Sequence, residues 1–136
     1  MRKKYFFIGG VIIVAIAAWI FYLFMERRPS LENMKADVTI KSTDLYNQYR
    51  QNETSTNSKY LDKIIEVKGI VTDIQQTDST LSIELEGADS GGINCGIADI
   101  THEEKLLFRK GSALTVKGKC SGFLMDVNLV DCIIEK

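Results

Sequence analysis

The chain has 136 residues, with 17 Lys+Arg against 18 Asp+Glu, one His, three Cys and one Pro. That length carries one small domain rather than several. A net charge of −1 excludes the strongly basic class that binds nucleic acid through charge alone. The balance is uneven along the chain: from Asp37 onward there are 11 Lys+Arg and 16 Asp+Glu, a net of −5.

Residues 1–4 form a basic tail, Met1-Arg2-Lys3-Lys4. The next 21 residues, Tyr5 to Met25, carry no charge, and Glu26-Arg27-Arg28 closes the run. At about 1.5 Å per residue a helix of that length crosses the hydrocarbon core of a bilayer. Tyr5, Trp19 and Tyr22 lie toward its ends, where amphipathic rings favour the interface. A cleaved leader is the alternative, with Ala15-Ile16-Ala17 as the cleavage site. The apolar run continues through Ala18 to Met25, which favours an uncleaved signal anchor over residues 5–25. A domain this small cannot surround an all-apolar helix, which sets aside a buried core helix. The basic tail places the N-terminus inside and the domain outside the cytoplasm, although Arg27, Arg28 and Lys35 argue back. Residues 26–36, with the only Pro at position 29, read as a linker, leaving 37–136 as the domain.

In that domain Ser42 is placed to cap a helix, with Asp44 in its first turn. Leu45, Tyr49, Thr56 and Tyr60 fall near one helical stripe. The polar run Thr54 to Ser58 has poor helix propensity, so only the first three turns are expected to be helical. Five strands follow. Ile64 to Ile74 is β-branched, with Gly69 expected at a bulge or bend. Thr80 to Glu86 alternates, with Leu81, Ile83 and Leu85 on one face. Ile93, Cys95 and Ile97 mark the third strand; Leu114, Val116, Gly118 and Cys120 the fourth; Val127 to Ile134 is the fifth. Between the third and fourth lies a short helix, with a Thr101–Glu104 capping box and a Gly111 stop.

Three strands, a helix and two more strands is the order of a five-stranded OB-fold barrel, here preceded by a helix. The rival arrangement is an open sheet, but closure removes the edges of such short strands. The outer face of the second and third strands offers Thr80, Ser82, Glu84, Glu86, Asn94 and Gly96. That face has no cation and no ring, unlike a single-strand-binding groove.

Phe123-Leu124-Met125 puts three apolar residues in the turn between the last two strands. An OB-fold binds ligands at that loop, so these are the candidate ligand-binding residues; the alternative folds one or two of them over the barrel end as a plug. Cys95, Cys120, Cys132 and His102 lack a C-x₂-C pair, which argues against zinc. The cysteines read as buried small hydrophobes, or, with oxidation, as a Cys120–Cys132 disulfide between adjacent strands. His102 sits at a helix start beside Glu103 and Glu104 and reads as a surface residue rather than a general base. No catalytic residue, metal or cofactor is expected.

The domain also resembles a known family, the tRNA-anti-like group of bacterial OB-fold proteins. The matching residues are Leu45-Tyr46-Asn47-Gln48-Tyr49, Asn52-Glu53, Tyr60 and the strand Ile65 to Val71. Cys95, Val116 to Gly122 and Leu129-Val130-Asp131-Cys132 continue the match. Thr56 departs from the pattern, where a small apolar residue is usual. The resemblance implies an OB barrel behind a membrane or lipoprotein segment. It implies no catalytic residues and no tRNA activity. The expectation is a single-pass protein of the bacterial inner membrane, displaying a binding module to an envelope protein or glycan. A single-stranded nucleic-acid binder is the alternative, and the acidic domain makes nucleic acid an unfavourable partner. An enzyme using His102 or a metal is the third reading.

Overall fold

The computed structural model describes residues 2–24, 30–77, 80–98, 100–101, 105 and 108–135. Helix α1 runs Arg2–Phe24. Its side chains are described over residues 10–23, and every one of them is exposed. Among the described residues no helix is long and apolar enough to cross a membrane. A single 3₁₀ turn, Leu31–Asn33, follows, with Ser30 Oγ accepting the Glu32 N–H and Leu31 buried.

Six strands make the sheet: β1 Val38–Lys41, β2 Ile64–Gln76, β3 Thr80–Glu86, β4 Gly92–Ala98, β5 Ala113–Phe123 and β6 Val127–Ile134. The order is β1-β2-β3-β4-β6-β5, and β2 also pairs with β5. That last pairing closes a barrel of five strands, β2 to β6, as the strand order predicts. β1 is an addition that alternation did not reveal, because four residues are too short to show a period. It lies parallel to β2, Val38 opposite Ile65 and Lys41 opposite Lys68. β2 is long enough to serve both edges. Its first half pairs with β5 from Ile64–Lys119 to Ile70–Ala113, and its second half pairs with β3.

The ladder runs unbroken through Gly69, opposite Leu114. The bulge expected there lies instead between Val71 and Asp73. Gly69 is needed for packing: a Cβ at that position would run into Ser42 Oγ and Cβ and lie 3.2 Å from Leu85 Cβ. Ser42 is correspondingly buried as the first residue of helix α2 (Ser42–Gln51), and Lys41 takes the cap position, with no side-chain cap bond. The expected Ser42 cap is thus replaced by a close helix–strand contact.

Helix α3 (Glu53–Tyr60) continues beyond the three turns expected, after a break at Asn52. The break explains how a polar run stays helical. Asn52 Oδ1 caps the Ser55 N–H at 2.9 Å. Thr56, the departure from the family pattern, is buried, and its hydroxyl is positioned to donate to the Gln48 and Asn52 carbonyls at 2.9 and 2.7 Å. Buried hydroxyls persist where they find such partners. The two helices close one end of the barrel with Leu45, Tyr46, Tyr49 and Tyr60. These pack on Ile65, Val67, Val71, Leu81, Ile83, Leu85, Ile93, Val116, Val127 and Leu129.

The helix expected between the third and fourth barrel strands falls largely outside the described residues, and so do His102 and Glu104. The Lys105 N–H donates to the Thr101 carbonyl at 3.1 Å, one helical bond. Gly111 has φ +83°, the left-handed stop anticipated for it, and its N–H reaches the Val71 carbonyl at 2.7 Å.

Candidate functional site

The site is built by alternation on three neighbouring strands and by one bulge. Leu81, Ile83 and Leu85 point into the barrel, so Ser82 and Glu84 point out. Ile93, Cys95 and Ile97 do the same on β4, leaving Asn94 and Gly96 outside, opposite Glu84 and Ser82. Strict alternation on β2 would send Asp73 inward with Val71. The bulge at Thr72 reverses it: Asp73 faces Glu84, Gln75 faces Ser82, and Ile74 turns inward opposite Ile83.

One residue arrives from elsewhere. Asp126, in the turn between β5 and β6, accepts the Gly92 N–H on Oδ1 at 2.9 Å. Gly92 fits closely against β3, since its Cβ would lie 3.2 Å from Glu84 Oε1 and collide with the Leu85 carbonyl. Asp73, Gln75, Ser82, Glu84, Asn94 and Asp126 together line an open cleft of about 100 Å³. Ser82 Oγ and Asn94 Oδ1 are hydrogen-bonded across its floor.

The cleft is acidic. Burial, then the Asp126 and Asp73 charges, push the Glu84 carboxyl above its ordinary range, and Lys110 opposes them. Lys110 pairs with Asp73 at the rim. That bond holds the Asp73 carboxyl below its ordinary value, helped by the Ile74 backbone and by Gln75. Among the described residues no aromatic ring and no nucleophile–base pair lines the cleft. Among the described residues no group of three His, Cys, Asp or Glu side chains is arranged to hold a metal ion. This chemistry suits binding: hydrogen-bond acceptors outnumber donors, and negative charge dominates.

The apolar tip divides in two. Phe123 ends β5 opposite Val127 rather than standing in the turn. Its ring stacks on Tyr49 with centroids 5.4 Å apart and meets Tyr46 edge-on at 5.9 Å. It is therefore part of the plug over the barrel end. Leu124 and Met125 stand 86% and 83% exposed. Asp126 follows them directly, so the tip and the cleft form one continuous surface. Asp73, Gln75 and Asp126 were missed in the sequence. The first two depend on a bulge set by strand pairing, and only the turn signal of an Asp after an apolar triplet pointed to the third.

All three cysteines are free and buried. Cys120 lies opposite Leu129, and its sulfur is hydrogen-bonded to the Tyr49 hydroxyl at 3.2 Å. Burial and that contact push the Tyr49 hydroxyl well above its ordinary value. The neighbouring Cys95 thiol and then burial push the Cys132 thiol well above its ordinary range. The strand register sets Cys120 opposite Leu129, three residues before Cys132.

The model of the tRNA_anti-like family matches residues 1–134. The chain belongs to the tRNA_anti-like family. No curated protein matches the sequence. Among solved structures, this tRNA_anti-like chain is similar to a lipoprotein of Klebsiella pneumoniae, at 16% identity and a TM-score of 0.58. The match covers 71% of this chain and 91% of that one. It is also similar to the Stn1–Ten1 complex of S. pombe (14% identity, TM-score 0.42, 54% of this chain and 58% of that one). Asparaginyl-tRNA synthetase of Entamoeba histolytica matches at 16% identity and TM-score 0.44, over 54% of this chain and 20% of that one. The Klebsiella likeness shows a shared fold. The tRNA_anti-like OB domain is a binding module.

Proposed function

We propose that this tRNA_anti-like protein is a membrane-anchored binding module, with its OB domain outside the cytoplasm and an envelope protein or glycan as its partner. The observation that carries the binding reading is the continuous surface of the acidic cleft and the Leu124–Met125 tip, joined at Asp126. It occupies the face and loop where OB-folds take ligands. A polypeptide supplies both complements of this surface, basic side chains for the cleft and apolar ones for the tip, which favours a protein over a glycan. The anchor reading is supported by α1. Val11, Trp19 and Tyr22 stand 68%, 69% and 74% exposed on a helix with no charge between Tyr5 and Met25. Lipid would cover such a surface, whereas water would not.

The second reading is nucleic acid, since the Klebsiella lipoprotein is named, provisionally, as a nucleic-acid binder. Single-strand binders combine a positive groove with stacking rings. Here the cleft is acidic and ringless, and Lys110 is engaged by Asp73.

Two experiments test these readings. A photo-crosslinking side chain at position 128, beside the tip, in the full chain and in membranes, should yield one discrete protein adduct. Micromolar, salt-sensitive binding of a labelled single-stranded oligonucleotide, measured by fluorescence anisotropy, would replace the protein reading with the nucleic-acid one. Alkaline phosphatase fused after Lys136 should be active; an inactive fusion, with an active cytoplasmic reporter at the same place, overturns the orientation.

A further inference from the structure

The two sides of the barrel carry opposite charge. Register sets Lys41 of β1 beside Lys68 of β2, and Glu66 of β2 beside Lys117 of β5, all on the outer surface. Lys119 lies one row further, opposite Ile64 and Val130. Four lysines and a single acid thus point outward from β1, from Ile64–Ile70 of β2 and from the facing half of β5. The second half of β2 and β3 send out Asp73, Glu84 and Glu86 and no cation. These acids lie across the barrel, since β3 and β4 have no pairing with β5. Lys117 is buried and held by Glu135. Lys41, Lys68 and Lys119 remain exposed. Lys68 meets Glu66 at 3.5 Å and Lys119 meets Asp62 at 3.0 Å, surface pairs that bind weakly in water. Lys41 has no ion-pair partner among the described residues. Ile70 and Val130 add exposed apolar carbon to the same side.

The chain also enters the domain on this side. The 3₁₀ turn at Leu31 packs on β6, the neighbour of β5. Asp37 then exchanges two hydrogen bonds with Ile64 at the start of β2: its N–H donates to the Ile64 carbonyl at 2.7 Å, and its carboxylate accepts the Ile64 N–H at 3.0 Å. Leu31 is buried and lies seven residues after Phe24, the end of α1. Seven residues reach at most about 25 Å, less than the roughly 30 Å width of a domain this size. With α1 in a bilayer, that tether keeps the entry side of the barrel close to the headgroups.

We propose that the β1–β2–β5 face is a lipid-docking surface, which rests Lys41, Lys68 and Lys119 on the anionic phosphates of the bilayer that holds α1. The proposal rests on the anchor reading above and adds a second, electrostatic contact to it. An anionic surface attracts lysines and repels carboxylates, and its field fades within a Debye length, about 8 Å at physiological salt. Only the near side of the barrel feels it. Docking by the lysine face therefore turns the acidic cleft away from the lipid and leaves it open to a partner. Each lysine at such a surface shifts the docked-to-free ratio about fivefold. Lys41 contributes this in full, whereas Lys68 and Lys119 first give up their carboxylate contacts.

The test uses the full chain in lipid nanodiscs, made either of phosphatidylcholine alone or of phosphatidylcholine with phosphatidylglycerol. A fluorophore is attached through Thr39→Cys, on the lysine face, or through Thr80→Cys, on β3; both positions are exposed, and the native cysteines are buried. Lipids with a nitroxide on the headgroup quench a fluorophore that lies against the bilayer. In anionic discs the label at position 39 should be quenched more than the label at position 80. The difference should shrink in neutral discs and at high salt. Lys41→Gln should lower the docked-to-free ratio about fivefold. Arg50→Gln removes the same charge beside Asp89 of the β3–β4 turn and should leave the ratio unchanged. Equal quenching at the two positions in anionic discs, or a difference that is the same in neutral discs, overturns the lipid surface and leaves the anchor standing. A chain that stays out of the discs overturns the anchor, and the lipid surface with it.

Discussion

Replacing Gly69 with Ala separates two roles for a glycine in a long strand. If it were an ordinary strand residue with open space beside it, Ala would be tolerated, and strand propensity would even favour it by about 0.5–1 kcal/mol. The structure assigns it a packing role. The φ of Gly69 lies outside the left-handed region, so the backbone accepts Ala; the obstacle is Ser42, whose Oγ and Cβ occupy the space of the new methyl group. Ser42 is 1% exposed and begins α2, so it cannot rotate away without moving the helix that carries Leu45, Tyr46 and Tyr49. Overpacking of this kind costs about 1–3 kcal/mol. Less the propensity gain, Gly69→Ala should lose about 1–2 kcal/mol, a Tm lower by roughly 5–15 °C for a domain of this size. Thermal unfolding followed by circular dichroism measures it. Ser42→Gly in the Gly69→Ala background should recover part of the loss, because the two residues are in contact. A Gly69→Ala Tm equal to or above wild type would refute the packing account.

The remaining predictions rest on the same surfaces and contacts. Thr56→Val, which keeps the shape and deletes the hydroxyl that bridges α2 and α3, should cost about 1–2 kcal/mol in denaturant unfolding. Phe123→Ala should lower stability by about 2–3 kcal/mol through the lost Tyr49 stack, whereas Leu124→Ser and Met125→Ser should leave the Tm within a degree or two and abolish the cross-linked adduct. Glu84 has a raised folded pKa, so its contribution is most favourable at acid pH and is lost as pH rises through that pKa. Glu84→Gln should therefore raise the Tm at neutral pH, with the gain shrinking toward pH 4; an equal gain at both pH values would sink the assignment. A chain beginning at Ser30 should fold by itself, and one beginning at Lys35 should be less stable by about 1.5–3 kcal/mol, since it lacks the buried Leu31.

How much was legible depended on whether the signal was local. The alternation of Thr80 to Glu86 named both the strand and its inward residues, because side-chain direction repeats every two residues whatever the strand pairs with. The order of elements gave the barrel, and the Gly111 stop was visible because a left-handed residue favours glycine. Leu45, Tyr49, Thr56 and Tyr60 were on the correct stripe, although the Asn52 break between them was not foreseen.

What only the tertiary structure decided lies wherever one strand meets another. The bulge at Thr72 turns Asp73 outward and so makes the cleft; the irregularity at Asp131 turns Cys132 inward and so buries it. β1 exists because β2 offers it a free edge beside β3, not because its four residues demand a strand. Asp126 reaches Glu84 because a turn folds over a glycine 34 residues earlier in the chain. Face is a local property of the backbone and can be read residue by residue. Register is the outcome of two distant segments pairing, and one extra residue in either exchanges inside for outside.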